Sequence, residues 1–128
     1  MTQSYQPLTP VSIERKIREI ASDMTRAQAD LSTARDEEVT AKHVFERTHR
    51  RALLSSECPK VTRGGYTTAE RDAWADEQCA PVREAYEIAE VKRKAAEDHL
   101  RTLFQQGTLA AVLAKSVHQA YQLAGVDR

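Results

Sequence analysis

Residues 11–58 read VSIERKIREIASDMTRAQADLSTARDEEVTAKHVFERTHRRALLSSEC and contain neither glycine nor proline. Thr9 and Pro10 come just before this stretch, and threonine is a favoured helix N-cap while proline suits the first helical position. Mostly apolar side chains then recur at alternating spacings of four and three residues, which predicts a long helix that packs one face against another helix. We therefore expect a helix over residues 10–57. This row consists of Ile13, Ile17, Ile20, Met24, Ala27, Leu31, Ala34, Glu38, Ala41, Phe45, Thr48 and Ala52.

The downstream sequence supplies the partner for this helix. Residues 58–66, CPKVTRGGY, show no periodicity and contain turn residues, so they are predicted to form a loop. Thr67 and Glu70 have the spacing of a capping box, in which each side chain caps the backbone amide of the other. A second helix is predicted over residues 67–106, with a kink or short break where Pro81 removes a backbone donor.

Two further features complete the predicted fold. Gly107 suggests a break, after which residues 108–124 are predicted to form a C-terminal amphipathic helix ended by Gly125. We expect one all-α domain over residues 1–128: an elongated, coiled-coil-like antiparallel helical hairpin with a flexible N-terminus at residues 1–9. Small side chains are expected to let the two helices approach closely at Ala27, Ala34 and Ala41 in the first helix and at Ala89 and Ala96 in the second. Glu38 is interpreted as a polar residue that sets the helix register.

Charge is balanced over the whole chain but not along it. The chain has 19 Lys plus Arg and 19 Asp plus Glu, and 30% of its residues are charged. Residues 42–66 nevertheless carry six basic and two acidic side chains, a net of +4, while residues 67–79 carry one basic and four acidic side chains, a net of −3. The chain begins without a signal-peptide pattern and contains no run of about eighteen apolar residues. We expect a cytoplasmic protein with no membrane contact.

A basic surface is predicted at the hairpin tip. Its guanidinium and ammonium groups suit phosphate contact, and its aromatic ring suits base stacking. An acidic protein partner would also match it, and the alternative is that these charges pair with the acidic run Glu70, Asp72, Asp76 and Glu77. The residues of this basic tip are Arg47, Arg50, Arg51, Lys60, Arg63 and Tyr66.

The predicted C-terminal helix has the opposite character, because Lys115 is its only charged residue. A helix so poor in charge requires a partner in water. It either folds back on the hairpin or forms an interface with a protein partner or with further copies of the chain. The candidate interface residues are Leu109, Val112, Leu113, Val117, Ala120, Tyr121 and Leu123.

Catalytic chemistry is not expected. Four histidines and two cysteines, Cys58 and Cys79, are the candidate metal ligands or nucleophiles, and they lack the paired spacing of zinc sites. No nucleotide-binding or metalloprotease motif occurs. The sequence therefore predicts no catalytic residue, no metal, no cofactor and no enzyme.

The layout of the chain resembles that of small all-helical proteins encoded by tailed phages of actinobacteria. The resemblance is carried by a long charged helix, a glycine-containing loop, and the two segments TTAERDAWADEQC at residues 67–79 and REAYEIAEVKRKAAEDHLRTL at residues 83–103. It implies a small helical protein that accompanies phage replication and recombination genes, in the host cytoplasm, and it implies no particular functional residues.

Two hypotheses of function follow. The first is a non-enzymatic, oligomeric coiled-coil protein that acts by binding a protein partner. The second is a single-stranded nucleic-acid-binding accessory factor of phage replication or recombination that uses the basic tip. Balanced net charge argues against a general nucleic-acid binder but allows a local contact.

Overall fold

The computed structural model describes residues 8–125, and these residues form an all-helical hairpin. Helix α1 spans Pro10–Leu54 and helix α2 spans Thr68–Leu123. The described part of the chain has no named strand, and one isolated bridge joins Val61 to Tyr66 in the connecting loop. The all-helical hairpin predicted from the sequence is thus confirmed. Of the flexible terminus predicted for residues 1–9, residues 1–7 lie outside the described range.

The start of α1 is set by a reciprocal cap between Thr9 and Ser12. The Ser12 amide donates to Thr9 Oγ1 at 3.1 Å, and the Thr9 amide donates to Ser12 Oγ at 2.9 Å. The Ile13 amide then donates to the Thr9 carbonyl at 3.0 Å, the first bond of the helix. Two amides that a helix would leave without partners are satisfied in this way. The predicted N-cap at Thr9 is therefore confirmed, and Ser12, which was not among the predicted cap residues, is its reciprocating partner.

Helix α1 ends at Leu54, three residues before the predicted end. The amide of Ser55 turns back to the Ala52 carbonyl at 3.1 Å, and the Ser55 hydroxyl accepts from the Glu57 amide at 3.2 Å. Serine side chains compete for backbone groups in this way, and they favour a turn over further helix. The apolar row of α1 thus predicted the approximate length of the helix, but the predicted end was one turn too late.

The predicted Thr67 cap at the start of α2 is confirmed. The Glu70 amide donates to Thr67 Oγ1 at 3.1 Å, and the Glu70 carboxylate accepts from the Thr67 hydroxyl at 3.2 Å. The return contact thus goes to the hydroxyl, whereas the capping-box prediction placed it on the amide. Helix α2 begins one residue later, at Thr68.

Helix α2 continues without a break through Pro81 and Gly107, and this corrects the prediction of a separate C-terminal helix. Residues 108–123 are the last turns of α2, which ends at Leu123. Pro81 is exposed, so water can reach the carbonyl that its missing N–H leaves without a helical partner. Gly125 adopts the left-handed conformation expected of a residue just after a helix, with φ of 70°.

The helices pack in two compact units. Of the described residues, unit 1 combines residues 8–30 with residues 97–125, and unit 2 is residues 31–96. In α1 the predicted row is covered except at Ile17, which is 37% exposed. Outside the row, Ser12, His49 and Leu53 are also half-buried. The buried or half-buried members of the row are Ile13, Ile20, Met24, Ala27, Leu31, Ala34, Glu38, Ala41, Phe45, Thr48 and Ala52.

Helix α2 covers a row with the same alternation of four and three residues, and this row keeps its phase from Ala75 to Tyr121. Gly107 is a member of the row. A Cβ atom at Gly107 would lie 3.6 Å from Ile20 Cγ2 and 3.9 Å from Met24 Sδ, which is ordinary contact within unit 1. The row consists of Ala75, Cys79, Val82, Tyr86, Ala89, Arg93, Ala96, Leu100, Leu103, Gly107, Ala110, Ala114, Val117 and Tyr121.

An ion pair joins the two helices in unit 2. Arg93 Nε lies 2.7 Å from Glu38 Oε2, and about a quarter of each side chain is exposed. Phe45 contacts Tyr86 nearby, with ring centroids 6.1 Å apart. The later α1 residue, Phe45, contacts the earlier α2 residue, Tyr86, whereas Glu38 contacts Arg93. The two helices are therefore antiparallel. Arg93 therefore pairs between helices, whereas Lys94 pairs within α2 with Glu90 at 2.9 Å.

Candidate functional site

The end of α2 presents an uncovered apolar row beside its packed face. This row runs from Leu109 to Leu123. Its positions are again separated by four, three, four and three residues, and the side chain at each position is exposed. Leu109 is 64% exposed, Leu113 47% and Leu123 91%, and the neighbouring Val112 is 62% exposed. We call this set the α2 apolar row, and it consists of Leu109, Leu113, Ser116, Ala120 and Leu123.

The structure divides the seven interface residues suggested by the sequence into two groups. Val117 and Tyr121 are half-buried and belong to the packed row of α2, whereas the other five are exposed. The alternative in which the segment folds back on the hairpin thus applies to the face that carries Val117 and Tyr121. Ala110 is buried and Ala114 is half-buried in unit 1, while Leu109 and Leu113 are 64% and 47% exposed.

The spacing of the apolar residues in the sequence is consistent with this division into two rows. Leu109, Leu113, Ala120 and Leu123 share one heptad spacing, while the residues of the packed row share another that is shifted along the helix. A helix with two such rows has two sides that suit packing. The seven candidate interface residues, predicted as one set, include members of both rows.

The α2 apolar row is also free of charge. Between residues 102 and 125 the only charged side chain is Lys115, which lies one residue before Ser116 and therefore about 100° around the helix from it. The rest of α2 differs: the exposed Ile88 and Val91 line a shallow groove whose other walls are Glu84, Glu87 and Lys92. Ile88 and Val91 therefore have three charged neighbours, whereas the segment that carries the α2 apolar row has one charged residue, Lys115.

All six residues of the basic tip are exposed, and they belong to unit 2. Among residues 8–125, none of its five basic side chains forms an ion pair or a side-chain hydrogen bond. Two acidic residues expected as their alternative partners are engaged within α2, since Asp72 pairs with Arg71 at 3.2 Å and Asp76 pairs with Arg83. The positive charge of the tip is therefore available to a ligand.

The backbone of the tip is held by short turns. The Gly65 amide donates to the Thr62 carbonyl at 3.0 Å, and Gly64 has a φ of 85°, a conformation that favours glycine. Tyr66 is 53% exposed beside these glycines. An aromatic ring is thus presented to solvent close in sequence to Lys60 and Arg63.

A shallow apolar groove lies on the side of α1 near the tip. Its walls are Phe45, Glu46, His49, Arg50 and Leu53, and it is open to solvent. The Arg83 guanidinium carbon lies 5.5 Å from the centre of the Phe45 ring, within the range of a cation–π contact. This groove has the form of a contact surface and lacks the enclosure typical of an active site.

The two cysteine thiols are buried and are not placed for nucleophilic chemistry. Cys79 is fully buried, and this burial is the main influence that raises the pKa of its thiol; the positive charge of Arg83 lowers that pKa and the negative charge of Asp76 raises it. Cys58 Sγ lies 3.7 Å from the Pro59 carbonyl oxygen. A reactive cysteine requires an accessible thiolate, and Cys79 is neither accessible nor readily ionised.

Residues 8–125 contain neither a metal-binding cluster nor a membrane-spanning helix. No group of three or more His, Cys, Asp and Glu side chains is arranged to hold a metal ion. Neither helix contains a segment that is long and apolar enough to cross a membrane. Comparisons of the chain with protein-family models, with curated proteins and with solved structures gave no match.

Proposed function

We propose that this chain is a non-enzymatic, coiled-coil-like interaction protein that acts by binding protein through the α2 apolar row. The observation that carries the proposal is the exposure of three leucines and a valine within residues 109–123, on a segment with one charged residue. Contiguous apolar surface of this kind is unfavourable in water and marks contact sites on other proteins. Heptad spacing favours a helical partner, since each side chain can then fill a gap between side chains of the facing helix.

An exposed ion pair on α1 provides a contrast that supports the assignment. Glu14 and Arg18 pair at 2.6 Å with both side chains well exposed, as is typical of a solvated helix face. The resemblance in layout to actinobacterial phage proteins supports the further proposal that a tailed phage encodes the chain, which would then act in the cytoplasm of the host.

Capture of partners by immobilised protein tests this function. Leu109→Glu/Leu113→Glu places two charges on the α2 apolar row, and we expect this variant to lose at least 90% of the proteins that wild type retains from host lysate. The matched control is Ile88→Glu/Val91→Glu, since Ile88 and Val91 are 48% and 66% exposed on the same helix. Circular dichroism should show that both variants keep the helical content of wild type, because all four sites are exposed.

Two outcomes of the capture experiment would contradict the proposal. One is the same set of captured proteins, this chain's own copies included, from wild type and from Leu109→Glu/Leu113→Glu. The other is an equal loss from Ile88→Glu/Val91→Glu, because that result would place the contact elsewhere on α2.

A second candidate function is supported by the unpaired arginines of the basic tip. We propose that the tip contacts single-stranded nucleic acid, with Arg47, Arg50 and Arg51 on phosphates and Tyr66 stacked on a base. The three arginines lie within five residues of α1, and this cluster could follow neighbouring phosphates along a strand. This function would belong to an accessory factor of replication or recombination.

Salt-dependent binding of a labelled oligonucleotide tests the second candidate. Each phosphate contact to a single strand contributes about −0.7 to the slope of log affinity against log salt, so Arg47→Ala/Arg50→Ala/Arg51→Ala is expected to make the slope shallower by about 2. Arg15→Ala/Lys16→Ala/Arg26→Ala removes the same charge from exposed sites elsewhere on α1 and serves as the control. The absence of wild-type binding at about 50 mM salt would exclude this function.

A further inference from the structure

We infer that the occupant of the α2 apolar row is a second copy of this chain, which lies antiparallel to the first across a two-fold axis near Ser116. This inference rests on the proposed function and names the partner for the same surface. It requires that the row be complementary to itself in shape and in charge, and that its area be sufficient for a dimer.

The spacing of the row provides the shape. Positions 109, 113, 116, 120 and 123 have intervals of four, three, four and three, and their order of sizes is large, large, small, small, large. When two copies cross antiparallel at Ser116, Leu109 of each copy lies opposite Leu123 of the other. Leu113 then lies over Ser116 and Ala120 of the other copy, where small side chains leave room for it.

Charge also favours an identical partner. The row contains no ionisable side chain, and Lys115 lies off the row, so two copies can meet without placing like charges together. A strongly acidic or basic partner would gain nothing from this face. A two-fold contact uses the same patch on both copies, which is the symmetry that most homo-oligomers adopt.

The area of the row sets the strength of the dimer. Fifteen helical residues span about 22 Å, and a helix is about 10 Å wide. A strip of this size on each copy is smaller than the surface of a standard stable interface, which buries about 1,600 Å² in total. We therefore expect a reversible dimer with a dissociation constant in the micromolar range and no permanent assembly.

Sedimentation of the purified full chain over a range of concentrations tests the dimer. Wild type is expected to pass from monomer to dimer between about 1 and 100 µM, in keeping with a micromolar dissociation constant. Leu113→Glu should raise the dissociation constant at least tenfold, because it places a carboxylate between two apolar faces. Val91→Glu, on the same helix but outside the row, should leave the dissociation constant unchanged.

Cysteine cross-linking tests the antiparallel arrangement. Under mild oxidation, Ser116→Cys should form a covalent dimer, because the axis places the two Ser116 positions together. Thr102 has the same heptad position and is exposed, but it lies about 21 Å along the helix from Ser116. The two Thr102→Cys positions would then be about 42 Å apart and should not cross-link. Wild type controls for the buried thiols of Cys58 and Cys79.

Three outcomes would overturn the inference. Equal cross-linking of Thr102→Cys and Ser116→Cys would show parallel copies. A dimer that Leu113→Glu leaves intact would show that the copies meet elsewhere. A wild type that remains monomeric at 100 µM would exclude the second copy, while row-dependent capture of a different protein would still support the proposed function.

Discussion

Replacement of Leu103 by alanine is expected to lower the free energy of unfolding by about 3 kcal/mol, within the range for a buried leucine. Leu103 is 6% exposed and belongs to the packed row of α2 in unit 1. A core that contains many alanines has few large side chains, so the loss of one removes a substantial part of the buried apolar area. For a chain of this length the unfolding midpoint should fall by about 10 °C, as measured by circular dichroism.

The adjacent residue provides the control for the Leu103 variant. Phe104 has a larger side chain, yet it is 64% exposed, so Phe104→Ala should change the free energy of unfolding by no more than about 0.5 kcal/mol. A Phe104 variant that is destabilised as strongly as Leu103→Ala would show that α2 packs through a different face.

The second large effect is expected at the ion pair between α1 and α2. Replacement of Arg93 by leucine leaves the Glu38 carboxylate, 23% exposed, without its partner at 2.7 Å. A partly buried charge left in this way costs about 1–3 kcal/mol, and urea denaturation of Arg93→Leu should show a loss of that size. Glu38→Leu is expected to be less harmful, because Arg93 is long enough to move its guanidinium toward water.

The double variant Glu38→Leu/Arg93→Leu is expected to recover most of the stability lost in Arg93→Leu, since two leucines at packed positions bury apolar surface where the pair had stood. Lys94→Leu is the matched control, because Lys94 pairs with Glu90 on the exposed side of α2 and should change the urea midpoint little. A double variant no more stable than Arg93→Leu would contradict this account of the pair.

The sequence predicted most of α1 and the general form of the hairpin. The spacing from Ile13 to Ala52 marked the covered face, and Thr9 and Thr67 marked the helix starts. These features could be predicted because a cap depends on a few neighbouring residues and because heptad spacing leaves one stripe to bury. The position of Glu38 in that stripe could also be predicted. Its partner Arg93 could not, because it is one of three consecutive basic residues, 92–94.

The sequence predicted that the second helix continues past Pro81 with a kink or short break, but it did not predict that the same helix continues through Gly107. A glycine inside a helix costs about 1 kcal/mol and a proline about 3 kcal/mol. The row from Ala75 to Tyr121 keeps its phase across both residues, and contacts along such a row can outweigh these costs. The unbroken heptad spacing therefore predicted the continuity of α2 better than the presence of helix-breaking residues did.

The candidate surfaces could be predicted in composition but not in detail. The basic tip followed from residue counts alone, since Arg47, Arg50 and Arg51 lie within five residues of one another in a segment of net +4. The division of the C-terminal segment was not predicted, because it depends on which of two neighbouring rows faces α1. In the structure Val117 and Tyr121 are half-buried in unit 1, whereas Leu109 and Leu113 are exposed.

The division into two units also has a consequence for chain entropy. In unit 2 the helical segments are joined by residues 55–67, whereas the two segments of unit 1 are separated in sequence by the whole of residues 31–96. Each doubling of loop length adds about 0.6 kcal/mol to the entropic cost of closure, so closing unit 1 directly from the unfolded chain costs about 1.4 kcal/mol more than closing unit 2. Contacts near the hairpin loop are thus the less costly ones for the unfolded chain to form first.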